Sequence, residues 1–400
     1  MTSLHEPPHE TAELFTFPQP RATGCPFDPP PAQRRPATRM ALWDGAPCWM
    51  VTDYQDVRTV LSDRRFSADA RIEGFPFFAP GRRAFIRDEP AFIRLDDPEH
   101  QRLRRMMTGD FLVKRVDQLR PRIQRIVDDA LDAMIAKGAP ADLVADFAFP
   151  IPSLVICELL GVPYEDHEFF QRQSRLVLDA TAGAEQVKAA MDDFNAYMTE
   201  LAASKKGEED GIVARLASRE DLTPGEVASN ALLLLLAGHE TTANMTSLST
   251  LVLLRHPEQL AKLRAEPELV KGAVEELLRY LTIVHTGLPR VAVEDVELPG
   301  GAVVRAGEGV FAMIAAANRD EEMFGAGEEL DITRDARRHL AFGFGVHQCL
   351  GQPLARVELQ IALATLVRRL PGLRLAVPFE QVRFRTESLI YGLHELPLAW

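Results

Sequence analysis

Cys349 sits in the run Phe342-Gly343-Phe344-Gly345-Val346-His347-Gln348-Cys349-Leu350-Gly351, just before a helical stretch. A cysteine at a helix N-terminus meets converging backbone N–H groups and the positive end of the dipole. Both favour the thiolate, the form that ligates metal. Gly345 and Gly351 allow tight turns and close backbone approach to the sulfur. A lone cysteine is more often a small buried hydrophobe. Zinc fits poorly, because only His347 stands near and two further ligands are missing. Other pairs could also do chemistry. In Ala237-Gly238-His239-Glu240-Thr241-Thr242 an acid stands beside an alcohol within an apolar stretch, where buried polar groups cost free energy unless used. Locally, Thr241 could simply bond its i−4 carbonyl. Glu276 and Arg279, at i and i+3, can pair on one helix face, by itself usually an exposed ion pair of ~0–1 kcal/mol. His100 and Arg104, at i and i+4, share another face.

These residues need elements to position them. Thr223-Pro224-Gly225-Glu226 is a capping box with Pro inside the start, opening a helix that runs to about Leu254. Its stretch Ala231 to Leu236 is apolar on every side, so this rod, ~45 Å long at ~1.5 Å per residue, crosses the interior. Asp97-Pro98 reads as an N-cap and first helical residue ahead of His100. Ile151 to Leu160 forms an apolar helix stopped by Gly161 and Pro163. The pattern is mostly helical from about 54 to 280, and a last helix follows Gly351 to about Leu370. Asp44-Gly45 turns a hairpin between 41–43 and 48–51. Short strands are expected at 291–293, 296–298, 302–305 and 310–314, with a terminal strand pair around Ile390 and Leu398. Residues 1–37 read as an irregular Pro-rich arm. The expected fold class is α+β, mostly helical, in one domain over 38–400 with small sheets to one side.

Composition narrows the function classes. The chain has 400 residues, 46% hydrophobic and 26% charged, enough to bury a large core and exclude general disorder. A net charge of −13 argues against wholesale nucleic-acid or anionic-membrane binding. The four cysteines form no CxxC or CxxCH, which disfavours a zinc ribbon and covalent c-type haem. No signal peptide or spanning run stands out, so a cytoplasmic location with reduced thiols is expected.

The pattern Phe-x-x-Gly-x-His-x-Cys-x-Gly at 342–351 resembles the haem-ligand loop of cytochrome P-450 enzymes. The likeness extends over about residues 40–400, closest to soluble actinobacterial, ferredoxin-dependent members. It implies a P-450 fold with a long central helix over haem b (iron protoporphyrin IX). It also implies that Cys349 is the axial thiolate on iron, a ligand that favours O–O cleavage, with Phe342 and Gly351 beside it. Glu240 and Thr241 resemble the family's acid–alcohol pair that relays protons, and Gly238 would leave room for oxygen. Glu276 and Arg279 match its Glu-x-x-Arg, joined by Arg334, in folding and haem retention. His100, Arg104, Arg290 and His347 match the residues that meet the haem propionates, two carboxylates needing cationic partners.

The implied reaction is monooxygenation: one atom of O₂ enters a bulky hydrophobic small molecule, a secondary metabolite or xenobiotic, and the other leaves as water. No Gly-x-Gly-x-x-Gly opens a βαβ unit, so the two electrons are expected from a separate ferredoxin with its reductase. Ferredoxin would dock on a local positive surface drawn from Arg102, Arg105, Lys114, Arg115, Arg337 and Arg338. By family position the pocket is lined by Phe75, Phe78, Phe85, Ala180, Leu236, Ala237, Val284, Leu288, Leu389 and Ile390. Arg71, Arg82, Arg83 and Arg87 could hold a substrate carboxylate, although exposed loop arginines usually do not. Competing readings are an H₂O₂-driven peroxygenase and a non-catalytic haem-binding sensor, neither of which needs Glu240-Thr241.

Overall fold

The structure is a computed structural model that describes residues 13–21, 25–85, 89–208 and 210–400. The helices in chain order are α1 (Tyr54–Ser62), α2 (Glu99–Thr108), α3 (Val113–Lys137), α4 (Pro150–Leu160), α5 (His167–Leu178), α6 (Ala184–Lys205) and α7 (Ile212–Ala217). They continue with α8 (Pro224–Arg255), α9 (Pro257–Ala265), α10 (Val270–Leu281), the single turns α11 (Ile314–Ala317) and α12 (Glu321–Phe324), and α13 (Gln352–Arg369). Apolar residues of α3, α4, α6, α8, α10 and α13 fill one large core.

The central helix α8 forms as its capping box dictates. The Glu226 amide donates to Thr223 Oγ1 at 3.0 Å and the Thr223 amide to Glu226 Oε2 at 3.0 Å. Its 32 residues make a rod of ~48 Å. Polar side chains in its buried second half bond back to the preceding turn: Thr246 to the Thr242 carbonyl at 2.8 Å, Thr250 to that of Thr246 at 2.9 Å. These two hydroxyls are therefore satisfied inside the core without outside partners, while Ser249 Oγ is left without one among the described residues.

Strands β1 (Thr38–Ala41) and β2 (Pro47–Val51) form the expected hairpin, but Leu42 and Trp43 lie in its turn rather than in a strand. With β3 (Phe66–Ser67), β5 (Leu288–Ala292) and β8 (Gly309–Ala312) they make one sheet in the order β1-β2-β8-β5-β3. Here β2 and β8 run parallel, with Cys48 opposite Gly309. Strands β4 (Ala141–Asp142), β9 (Arg374–Leu375) and β10 (Pro397–Ala399) form a second sheet, and β6 (Val296–Glu297) with β7 (Val303–Val304) a third. The arm is anchored before β1: Phe15 stacks on Phe311 at 4.3 Å, and its amide reaches the Ala41 carbonyl at 2.7 Å.

Two expectations change. Ile390 and Leu398 do not pair with each other. Ile390 bridges Val284, while Leu398 pairs with Ala141 and Leu375. Asp97 is not the cap of α2, because its carboxylate meets the His100 ring at 3.1 Å instead. Among the described residues no helix is long and apolar enough to cross a membrane.

Candidate active site

The loop 342–351 folds back so that the Cys349 amide donates to the Phe342 carbonyl at 2.8 Å. Cys349 then stands two residues ahead of Gly351, the N-cap of α13. Burial pushes its thiol above the ordinary value. The Gly351 amide opposes that shift, followed by Arg104, Arg356 and the Gln352 amide. The expected N-terminal donors are therefore present and oppose the shift without cancelling it. Cys349 is nonetheless accessible, unlike Cys48 and Cys157. Phe342 packs on the main core, with Arg356 4.6 Å over its ring.

The Glu-x-x-Arg pair is fully buried rather than exposed. Arg279 grips Glu276 with two bonds, Nε–Oε2 at 2.7 Å and Nη2–Oε1 at 2.8 Å. Its Nη1 donates to the carbonyls of Asn318 (2.8 Å) and Gly327 (2.7 Å). Arg334 completes the group, with Nε 3.3 Å from Glu276 Oε1 and further bonds to the Phe324 and Ala326 carbonyls. The stretch 324–334 that precedes the cysteine loop is thus tied to α10 through its own carbonyls.

His100, Arg104, Arg290 and His347 come together from α2, β5 and the cysteine loop. The His100 and His347 rings are 4.2 Å apart. Arg104 donates to the Gln348 carbonyl at 2.5 Å. Arg290, buried, donates only to the Pro289 carbonyl at 2.8 Å. Burial first, then the neighbouring Arg94 charge, lowers its pKa to about 10. Burial, then Arg290, His100, Arg104 and Arg94, holds the His347 ring neutral. His100 Nε2 and His347 Nδ1 are buried without a partner. Two arginines and two imidazoles with unused nitrogens, gathered at one place, are best satisfied by negative charge among them. Gly351 adds a second sign: its backbone is ordinary (φ −80°) and a Cβ there would meet no protein atom within 4 Å. These residues fit a cofactor that brings two carboxylates and a metal for sulfur. Among the described residues no cluster of three His, Cys, Asp or Glu offers an alternative metal site.

On α8, Ala237 and Thr241 lie one turn apart and remain accessible in the middle of the most buried helix. Thr241 Oγ1 donates to the Ala237 carbonyl at 2.6 Å, the bond its i−4 position allows. Glu240 is fully buried and points elsewhere: its Oε2 meets Arg385 Nη1 at 3.1 Å and Asn244 Nδ2 at 3.2 Å, while Oε1 has no partner. The role expected of Gly238 is not what its geometry provides. A Cβ at 238 would lie 2.7 Å from Ile156 Cγ1, so the glycine lets α8 close on α4.

The pocket residues fall into three groups. Ala180, Leu236, Val284, Leu288, Leu389 and Ile390 are half-buried. Three contacts gather four of them: Ala180 N to the Glu387 carbonyl (2.9 Å), Leu389 N to that of Leu178 (2.8 Å), and the Val284–Ile390 bridge. Phe75 is buried in a small cluster with Ala70 and Val291, and Phe78 packs against Phe17 of the arm. The side chain of Phe85, and Arg87 entirely, lie outside the described residues. Of the other loop arginines, Arg71 pairs with Asp69 at 2.6 Å, Arg83 with Asp44 at 2.7 Å, and Arg82 donates to the Val177 and Asp179 carbonyls at 2.7 Å.

Sequence reasoning missed two residues of this region, Arg385 and Arg94. Arg385 comes from an irregular stretch far along the chain and carries no spacing signal. Arg94 carries one, a lone cation between Ile93 and Leu95.

The family model for cytochrome P450 matches residues 169–387. Over 97% of its length the chain is 60% identical to cytochrome P450-SU2 of Streptomyces griseolus, covering 98% of that protein. It is 48% identical to the pentalenic acid synthase of Streptomyces avermitilis, over 99% of this chain and all of that one. The solved structure of TxtC, a cytochrome P450 of sequential thaxtomin hydroxylation, superposes with a TM-score of 0.90 at 39% identity, covering 94% of this chain and 100% of that one. The α+β fold, the thiol that a helix start offers to a metal and the ring of unanswered cations agree with those likenesses: the chain belongs to the cytochrome P450 family of haem-thiolate monooxygenases.

Proposed function

We propose that this P450 hydroxylates a bulky hydrophobic small molecule, a secondary metabolite or xenobiotic, using O₂ and two electrons from a ferredoxin. The observation that carries the reading is the accessible face of Ala237 and Thr241 in the middle of a mostly buried helix, together with the half-buried apolar side chains of Ala180, Val284, Leu389 and Ile390 that other segments bring together. Such lining with few polar groups suits a large apolar ligand. Relatives named for pentalenic acid synthesis and thaxtomin hydroxylation support the same class of substrate.

Bound haem, ligated by Cys349, supplies the activation of O₂ and its insertion into substrate. His100, Arg104, Arg290 and His347 hold its propionates. Thr241 carries the last proton donor, its Oγ1, whose lone pairs accept a proton while its own hydrogen rests on the Ala237 carbonyl. Glu240 Oε1, the carboxylate atom without a partner, is the one free to pass a proton toward Thr241, while Arg385 and Asn244 hold Oε2 in place. Electrons arrive at the cysteine face. There Arg105, Lys114, Arg115 and Arg338 are exposed, whereas Arg102 and Arg337 are paired with Glu226 and Asp335. The intact Glu240-Thr241 pair favours O₂ over peroxide as oxidant and catalysis over sensing.

Two measurements test this. A spectral titration with hydrophobic metabolites is expected to displace the water on iron, and a chain that no such compound perturbs would refute the substrate class. Thr241→Ala is expected to bind haem and substrate normally but to divert most reducing equivalents into hydrogen peroxide. Normal coupling in that variant would refute the relay.

A further inference from the structure

Arg94 ends a short 3₁₀ turn (Phe92–Arg94) ahead of α2. It is the one arginine of this region to which neither the fold nor the reaction assigns a task. Its guanidinium lies 5.3 Å over the Phe75 ring and makes no side-chain hydrogen bond or ion pair among the described residues. The acids nearest in sequence are engaged elsewhere. Asp96 accepts from Ser67 Oγ and, at 2.9 Å, from the Ala68 amide. Asp97 faces His100 at 3.1 Å and Arg64 at 3.8 Å. Burial alone lowers the Arg94 pKa to about 10. The Phe75 ring beneath it packs in one cluster with Val291, the neighbour of Arg290, and Phe92 of the same turn lies 6.0 Å from the His100 ring, so this turn brings Arg94 to the gathered cations. Buried Arg290 and half-buried Arg94 repel each other, and among the described residues only the engaged Asp96 carboxylate acts on the pair, so an anion from outside the chain would stabilise both. Phe75 fixes where the fork lies, since a cation over a ring face is held there when desolvated.

We propose that Arg94 is a further propionate-holding residue, binding a haem carboxylate alongside Arg290 and clamped in position by Phe75. The inference rests on the haem reading above and adds a fifth cationic partner to it. An arginine suits the task because its planar fork meets a carboxylate with two parallel bonds.

The test uses purified holoprotein and measures haem loss to excess apomyoglobin together with the reduction potential. Arg94→Gln is expected to lose haem faster by on the order of tenfold to a hundredfold, the range of a charge-assisted bond. Its potential is expected to fall, since a positive charge beside the iron porphyrin is gone. Arg94→Lys keeps the charge without the fork, so it should hold the potential and lose haem at an intermediate rate. It decides the matter if the glutamine chain does not fold. Arg71→Gln, on an exposed arginine already paired with Asp69, serves as control and should change neither value. Wild-type haem loss and potential in both Arg94 variants would overturn the proposal. So would unaltered haem binding with selective loss of carboxylate-bearing ligands, which would assign Arg94 to substrate. Failure of the haem reading itself looks different, because the wild-type chain would then purify without haem.

Discussion

Two groups of buried charge, one around Arg279 and one around His347, are built differently. Around Arg279 each guanidinium nitrogen has a partner inside the chain: Glu276 and the carbonyls of Asn318, Gly327 and Glu329. Around His347 the cations outnumber their partners. Among the described residues Arg94 has none, Arg290 has one carbonyl, and two imidazole nitrogens are orphaned. The first group is complete as polypeptide and acts as scaffold. The second is complete only with a polyanion, which marks it as a binding site. Buried charge alone does not separate scaffold from site; unsatisfied buried charge does.

The contrast breaks most visibly at Arg279. Arg279→Ala leaves Glu276 buried without its main partner and is expected to cost about 3–5 kcal/mol. Urea unfolding should show a much lower midpoint and haem-free chain, whereas a holoprotein of normal stability would contradict the bracing role. A smaller effect is expected at Gly238. Gly238→Ala places a methyl against Ile156, an overpacking of about 1–3 kcal/mol. Ile156→Ala in the same chain should relieve it, and a double-mutant cycle with no coupling would show that the glycine serves something other than helix packing.

Glu358 sharpens the comparison, because it is an orphan on α13, just past the cysteine loop. Its Oε2 has no partner, and burial pushes the carboxyl up from 4.5 to about 8. The folded chain therefore keeps this proton to about pH 8, while the unfolded chain releases it near pH 4.5. Its contribution to stability is full below pH 4.5 and is lost as pH rises to about 8, at up to about 1.4 kcal/mol per pH unit. Glu358→Gln should flatten the fall in thermal midpoint over that interval; an unchanged slope would mean that the carboxyl finds a partner.

The two groups also differ in how plainly the sequence announces them. Glu276 and Arg279 are three residues apart, and the loop 342–351 is contiguous, so both can be read directly. The capping box of α8 and the change from helical patterning before about 280 to short strands after about 290 are equally local. Arg385 reaches Glu240 across 145 positions, a distance at which no periodicity survives. The direction in which Gly238 faces depends on how α4 packs on α8, which is a tertiary fact. Asp97 shows a local rule losing to a neighbour: a residue suited to capping α2 turns to the His100 ring instead.

The central claim is that sulfur from Cys349 is the ligand of a haem. The most direct measurement is the carbon-monoxide difference spectrum of the reduced holoprotein, beside that of Cys349→Ser. The account predicts the red-shifted band of a thiolate-ligated haem in the natural chain and its absence from the variant. A natural chain whose band matches nitrogen-ligated haem, or a variant that retains the shifted band, would contradict it.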